Sequence, residues 1–98
     1  MHVRVTAEAR SDLHAIKTYI AQDNPRAAQR VIDAILTSAF QLESFPFLGR
    51  QGRVDETREL SLPRVPYFIV YSIVDEYHID IDRVLHTSRM YPPEEDTR

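Results

Sequence analysis

The chain has no cysteine and a single lysine, Lys17, against eleven arginines. With no thiol there can be no disulfide framework, zinc ribbon or thiolate nucleophile, and a small domain without disulfides fits a reducing compartment. One lysine argues against chemistry that needs a detuned amine, whereas arginine is a permanently charged planar fork suited to carboxylates, phosphates and rings. No apolar run approaches the ~18 residues that a membrane span requires. The opening MHVRVTAEARSD has no apolar stretch behind a basic start, so the chain is expected in the cytoplasm with no membrane partner. Positive charge is short as well: 12 Lys and Arg stand against 15 Asp and Glu, a formal net charge of -3. A protein so charged gains little from counterion release on a polyanion, and no sequence-specific DNA binding is expected of it. There is no P-loop, GxGxxG or GxSxG motif, and His2, His14 and His78 lack ligand spacing, so neither a cofactor nor a metal site is expected.

Ninety-eight residues make one domain with room for a single core. Its charge is uneven along the chain. Residues 1–45 carry five basic and five acidic groups, residues 46–74 four and three, and residues 75–98 three and seven. The acidic excess lies in the last segment, where Glu94, Glu95 and Asp96 follow Pro92 and Pro93, and residues 92–98 read as a frayed tail.

HVRVT at 2–6 alternates Val3 and Val5 with polar neighbours, which predicts a short strand, and Thr6 can cap a helix. From Ala7 to about Asp23, Ala9, Leu13, Ile16 and Ile20 recur at steps of four, three and four, the stripe of an amphipathic helix. Pro25 disfavours helical geometry at Asn24, so the DNP triplet ends that helix and starts another with Asn24 as N-cap. The second helix is predicted to run to Glu43 or Ser44. Phe47 and Leu48 are expected to tuck onto the core, and Gly49 and Gly52 to mark turns in a loop bearing Arg50 and Arg53.

Three strands follow. RELSL at 58–62 places Leu60 and Leu62 on one face with Arg58. YFIVYSIV at 67–74 is apolar on both faces, Phe68, Val70 and Val74 on one and Tyr67, Ile69, Tyr71 and Ile73 on the other. YHIDIDRVLH at 77–86 is read with Ile79, Ile81 and Leu85 on one face and His78, Asp80, Asp82 and His86 on the other. One helical hairpin covers one face of a small sheet, so the second apolar face is left without cover unless the 45–57 loop and the tail lie over it. Such a face marks a partner site.

Nucleolysis without a metal needs an acid, a base and cations on the phosphate; Arg58, Arg64, Arg83, His86, Arg89 and Tyr91 are the groups available. Arg83 shares the phase of Ile79 and Ile81, so it needs an acidic partner such as Glu59. In LGRQGRVDETREL, Arg50, Arg53 and Arg58 alternate with Asp55, Glu56 and Glu59. That mixture suits internal pairs or an acidic protein surface better than a polyanion groove.

ARSDLHAIKTYIAQDNPRAAQRVIDAI, LGR, TREL, PYFIVYSI and IDRVLHTSRMYP together make the chain similar to the RelE/ParE superfamily, the toxins of bacterial type II toxin-antitoxin modules. The resemblance implies an α+β fold of order β-α-α-β-β-β, with a helical hairpin on one face of a small, mostly antiparallel sheet. It also implies a cognate antitoxin, ParD- or RelB-like, in a hetero-oligomer that stabilises the toxin by mass action. RelE-like members cut mRNA on the ribosome and are typically strongly basic; ParE-like members poison DNA gyrase. The scarcity of cations here favours the ParE-like reading, a gyrase inhibitor without catalytic residues, over the endoribonuclease; a binding module of decayed toxicity is the third possibility. In the ribonuclease reading Arg58, Arg83, His86, Arg89 and Tyr91 form the site. The ParE-like reading assigns Arg50, Arg53, Arg64 and Arg89 to a target or partner, and Phe68, Val70, Val74 and Tyr77 to the antitoxin-facing sheet.

Overall fold

The computed structural model describes residues 1–93, so most of the tail expected to fray lies outside the described residues. Seven elements run in the order β1 (His2–Val5), α1 (Ala7–Ala21), α2 (Pro25–Gln41), β2 (Arg50–Gln51), β3 (Arg58–Ser61), β4 (Tyr67–Ile73) and β5 (His78–His86). The strands form one sheet in the order β1-β5-β4-β3-β2. β1 lies parallel to β5, and every other pair is antiparallel. The α+β architecture is the one expected, with one addition: the arginine loop contributes the two-residue strand β2.

Local signals explain the helix ends. The Thr6 hydroxyl accepts the Ala9 N–H at 3.2 Å and donates to the Ile81 carbonyl at 2.8 Å, so one side chain caps α1 and ties it to β5. Asn24 accepts the Ala27 N–H at 3.0 Å, with Pro25 in the first helical turn. α2 ends at Gln41, short of the expected Glu43 or Ser44. There the backbone tightens, Glu43 N–H bonding to Phe40 O and Ser44 N–H to Gln41 O.

Ile32, Ile35, Ala39 and Leu42 of the second helix and its end pack with Ala9 against Val3, Leu62, Tyr67, Ile69, Tyr71, Ile79, Ile81 and Val84 of the sheet and its margins. This face is dry. α1 contributes less than its stripe implies, because Leu13, Ile16 and Ile20 are only partly buried.

One irregularity reorganises β5. Tyr71 pairs with Ile81 but Val70 pairs with Arg83, leaving Asp82 as an extra residue. A bulge of one residue inverts the period-two alternation beyond it. Ile79 and Ile81 therefore face the helices, but so does Val84, while Arg83 and Leu85 turn to the opposite face. The expectation that Leu85 shares a face with Ile79 and Ile81, and His86 with Asp80, is corrected by that residue.

Candidate functional site: the sheet face away from the helices

Phe68 and Val70 of β4 and Leu85 of β5 form a small apolar island on this face. Tyr91 packs on it, edge-on to Phe68 with ring centroids 6.4 Å apart, and the Arg53 guanidinium sits 5.4 Å from the Phe68 ring centre. Phe68 and Val70 are consequently only 4% and 0% exposed. An apolar face without cover from within the chain does not exist here: the arginine loop and the residues after β5 supply the cover. Val74 and Tyr77, just beyond the strand ends, are exposed.

The charges on this face are consumed in pairs. Glu59 lies beside Val70 on β3 and is buried. Its carboxylate accepts from the Arg53 backbone N–H at 3.0 Å, from Nε at 3.2 Å and from Nη2 at 2.9 Å, with Arg50 Nη2 at 3.5 Å. The Arg53 hydrogen bond holds Glu59 below the usual carboxylate range against the effect of burial, and the same bond raises Arg53. Arg53 is thus no free cation awaiting a partner, and Arg50 leans on the same carboxylate. Arg53 nonetheless remains about half exposed, and Arg50 is mostly exposed.

Arg83 donates to Asp12 of α1 through Nε at 2.8 Å and Nη2 at 3.0 Å, and Asp12 also takes the Val84 N–H at 2.9 Å. The Asp12 hydrogen bond raises the Arg83 pKa. The partner expected from the sequence, Glu59, is corrected to Asp12. β1 pairs with β5 only as far as Ile81, and α1 then passes beside the continuing strand. Asp12 caps the freed edge.

The rest of the face is polar. Arg4 donates to Asp80 at 2.7 Å, and the Ser72 hydroxyl bonds the Asp82 carboxyl. Burial pushes Asp82 upward despite that bond, with Asp80 and Glu8 adding to the shift. At the β4–β5 turn, Asp75 accepts the N–H groups of Tyr77 and His78, which lowers its pKa, the Tyr77 bond first.

The residues proposed for a nuclease do not converge. Arg58 lies on the helix-covered side of the sheet, opposite Tyr71, and is structural: Nε donates to the Gly49 carbonyl at 2.9 Å and Nη2 to the Phe47 carbonyl at 3.4 Å. His86 is paired with Tyr67, also on the helix side, and its ring stands edge-on to Tyr67 at 5.3 Å. Its Nδ1 faces Ser88, with the Ser88 hydroxyl at 2.8 Å and the Ser88 N–H at 3.1 Å. Arg83 and Tyr91 belong to the opposite face. Arg89 is exposed in the turn after β5 with its N–H on the His86 carbonyl, and Arg64 is exposed in the β3–β4 connection.

The loop before β2 also departs from expectation. The Tyr71 hydroxyl donates to the Pro46 carbonyl at 2.8 Å and accepts the Gly49 N–H at 2.9 Å. Pinned by these bonds and by Arg58, residues 46–49 hold Phe47 and Leu48 outward, 70% and 51% exposed, instead of tucking them onto the core. Gly49 is required for space, since a Cβ there would stand 2.7 Å from the Tyr71 ring. The left-handed backbone of the following turn falls to Glu56 (φ 63), not to a glycine. Asp12 is the site residue that sequence reading missed. It stands off the apolar stripe of α1, and nothing in the local pattern couples it to a strand 71 residues away.

A model of the ParE toxin of type II toxin-antitoxin systems, parDE, matches residues 3–91. A protein of Sinorhizobium fredii that carries a toxin name, Y4kP, is 39% identical over 90 residues, covering 92% of each chain. Toxin RelE2 of Caulobacter vibrioides is 35% identical over 85 residues, covering 87% of this chain and 93% of its own. Among solved structures, a chain of the chromosomal ParDE system from P. aeruginosa matches with a TM-score of 0.76 at 27% identity, covering 88% of this chain and 95% of that one. A chain of the RelBE2 toxin-antitoxin complex from Mycobacterium tuberculosis matches with a TM-score of 0.60 at 31% identity, covering 86% and 94%.

Proposed function

The chain belongs to the ParE toxin family of type II toxin-antitoxin systems, and from that premise we propose that it acts in the cytoplasm on DNA gyrase, by protein contact and not by cutting mRNA. The observation that carries this reading is the neutralisation of the arginines in place. Arg53 and Arg83 each give their hydrogen bonds to a carboxylate of the same chain. A phosphate arriving there would have to displace Glu59 or Asp12 and leave a carboxylate unpaired, a cost that protein contact avoids. His86, the residue best suited to acid-base work, is turned to the other side of the sheet.

A ribosome-dependent endoribonuclease is the second reading. Two relatives carry RelE or RelBE names, and Tyr91 lies near enough to influence both Arg53 and Arg83. In either reading the physiological partner is an antitoxin, as in the toxin-antitoxin systems whose structures match. Val74 and Tyr77 are open to such a partner, whereas Phe68 and Val70 are reached only if Tyr91 and Arg53 move aside.

The test uses one preparation in two assays, supercoiling by purified gyrase and ribosome-dependent mRNA cleavage. Loss of supercoiling with intact mRNA is expected, and Tyr91→Phe should leave toxicity within about twofold, whereas removal of a general acid or base costs ~100-fold or more. Cleavage with intact supercoiling reverses the assignment; harmless overexpression points to a binding module whose toxicity has decayed.

A further inference from the structure

A hollow of about 780 Å³ opens beside the start of β3. Asp55, Glu56 and Thr57 line one side of it, and Ser72, Ile73 and Val74 at the end of β4 line the other. It is a gap in the sheet. β3 begins at Arg58, opposite Tyr71, so the last residues of β4 pair with β5 but have no neighbour on the β3 side.

Strand register fixes what the gap exposes. The Leu62 N–H bonds the Tyr67 carbonyl at 3.1 Å, and in an antiparallel ladder hydrogen-bonded pairs recur at every second residue, here Leu60 with Ile69 and Arg58 with Tyr71. The next in that series is Ile73, whose partner would be residue 56. Toward β5 the alternation is complementary: the Val74 N–H bonds the His78 carbonyl at 2.9 Å, and Ser72 pairs with Asp80. The Ile73 N–H and C=O therefore point into the hollow, and neither has a protein partner among the described residues. Glu56 does not fill the place. Its left-handed backbone (φ 63), strained for a residue with a side chain, turns the chain off the β4 edge. The turn is held there by the Gly52 N–H on the Thr57 carbonyl at 2.8 Å and the Thr57 hydroxyl on the Val54 carbonyl at 2.6 Å.

The border of the gap is acidic. Asp55 and Glu56 are exposed and form no ion pair among the described residues. Arg58, the one cation of the lining, is drawn to the helix side, where it donates to the Gly49 and Phe47 carbonyls and lies 5.3 Å from the Phe47 ring centre. Val74, 50% exposed, adds an apolar foothold at the open end.

An open strand edge calls for an occupant with free backbone groups. A helix spends its own N–H and C=O internally and would leave Ile73 unpaired, whereas an extended segment supplies both partners. Three residues of extended chain, about 10 Å, match the length of Ser72–Val74.

We infer that this gap is a strand-addition site for a short extended segment of a partner protein that carries lysine or arginine. One residue of the segment exchanges two backbone hydrogen bonds with Ile73, a neighbouring apolar side chain rests on Val74, and its cations meet Asp55 and Glu56. The site stands apart from the gyrase reading and from the ion-paired arginines of the sheet.

The experiment titrates the full, nitrogen-15-labelled chain with blocked pentapeptides at about 50 and 300 mM salt, following backbone amides by NMR. The probe is acetyl-Lys-Val-Thr-Val-Lys-amide; the controls replace both lysines by glutamate or methylate the central backbone nitrogen. The lysine peptide should move the Ile73 amide and slow its hydrogen exchange. The glutamate peptide should bind about tenfold or more weaker at low salt, with a smaller gap at high salt. The methylated peptide, which keeps every charge but lacks one backbone donor, should lose about tenfold at both. Asp55→Lys with Glu56→Lys, both at exposed positions, should leave the circular dichroism unchanged and reverse the preference between the lysine and glutamate peptides. No change at Ile73 up to about 5 mM lysine peptide, equal affinity for both charges, or full affinity of the methylated peptide overturns the inference. None of these readouts involves gyrase or mRNA, so failure here leaves the proposed function standing, and the reverse holds equally.

Discussion

The two faces of the sheet solve the same problem in opposite ways. Toward the helices, Ile69, Tyr71, Ile79, Ile81 and Val84 exclude water with aliphatic and aromatic surface, a non-directional gain that grows with buried area. Away from them, three apolar side chains are sheltered by a tyrosine and an arginine, and the remaining area is held by carboxylate–arginine pairs. The first face makes the fold. The second shows that a cluster of arginines need not be a polyanion site: what counts is how many guanidinium hydrogen bonds are left after the protein's own carboxylates have taken theirs.

Truncation should separate the faces most clearly. Ile69→Ala, on the helix side, should cost about 3 kcal/mol in denaturant unfolding, because the enclosed site cannot collapse around the cavity. Glu59→Gln should cost less, about 1–2 kcal/mol, since half-exposed Arg53 can turn to solvent. If Glu59→Gln proves the more damaging of the two, the ion pairs and not the apolar layer dominate stability.

Acid titration sharpens the contrast within the open face. Glu59 has a folded pKa below its ordinary value near 4.5, so its stabilising contribution is complete above that pH and is lost as pH falls through the folded value. Asp82 has the opposite sign. Its folded pKa is raised, so an unfavourable contribution sets in above its ordinary value near 3.8 and is complete once pH exceeds the folded value. Unfolding followed from pH 3 to 7 should show Glu59→Gln losing part of the wild-type rise in stability. Asp82→Asn should be more stable than wild type at pH 7 by about 0.5–1 kcal/mol, with the gain absent at pH 3. A destabilised Asp82→Asn would mean that its bond to Ser72 outweighs desolvation.

Arg50→Ala should give the smallest effect, under about 0.5 kcal/mol, because its 3.5 Å contact comes from a side chain 72% exposed. A larger loss would show that the two-residue strand β2 depends on that contact.

Local pattern carried most of the fold. Thr6 and the Asn24-Pro25 pair set helix ends through hydrogen bonds that span three residues, and the alternation in residues 58–62 and the apolar run at 67–74 identified the strands that bury Leu62, Ile69 and Tyr71. Composition alone made a polyanion groove improbable. The site was less legible, and for definite reasons. The bulge at Asp82 has no mark in YHIDIDRVLH, because an inserted residue leaves each local alternation intact and shows only in the pairing with β4. The Phe47-Leu48 pair reads as core by hydropathy, yet the carbonyl bonds of Tyr71 and Arg58 hold it outward.

The sequence by itself determined the class of fold, the helical hairpin, the central apolar strand and the shortage of free positive charge, since all of these follow from short-range periodicity, caps and counts. Only the tertiary structure decided which carboxylate meets which arginine. Arg53 and Glu59 lie six residues apart and meet through the turn between β2 and β3, whereas Arg83 and Asp12 lie 71 apart and meet because a helix passes the sheet edge. Those distances, which no one-dimensional pattern encodes, decide that the two arginines on the open sheet face, Arg53 and Arg83, are tied to carboxylates of the same chain.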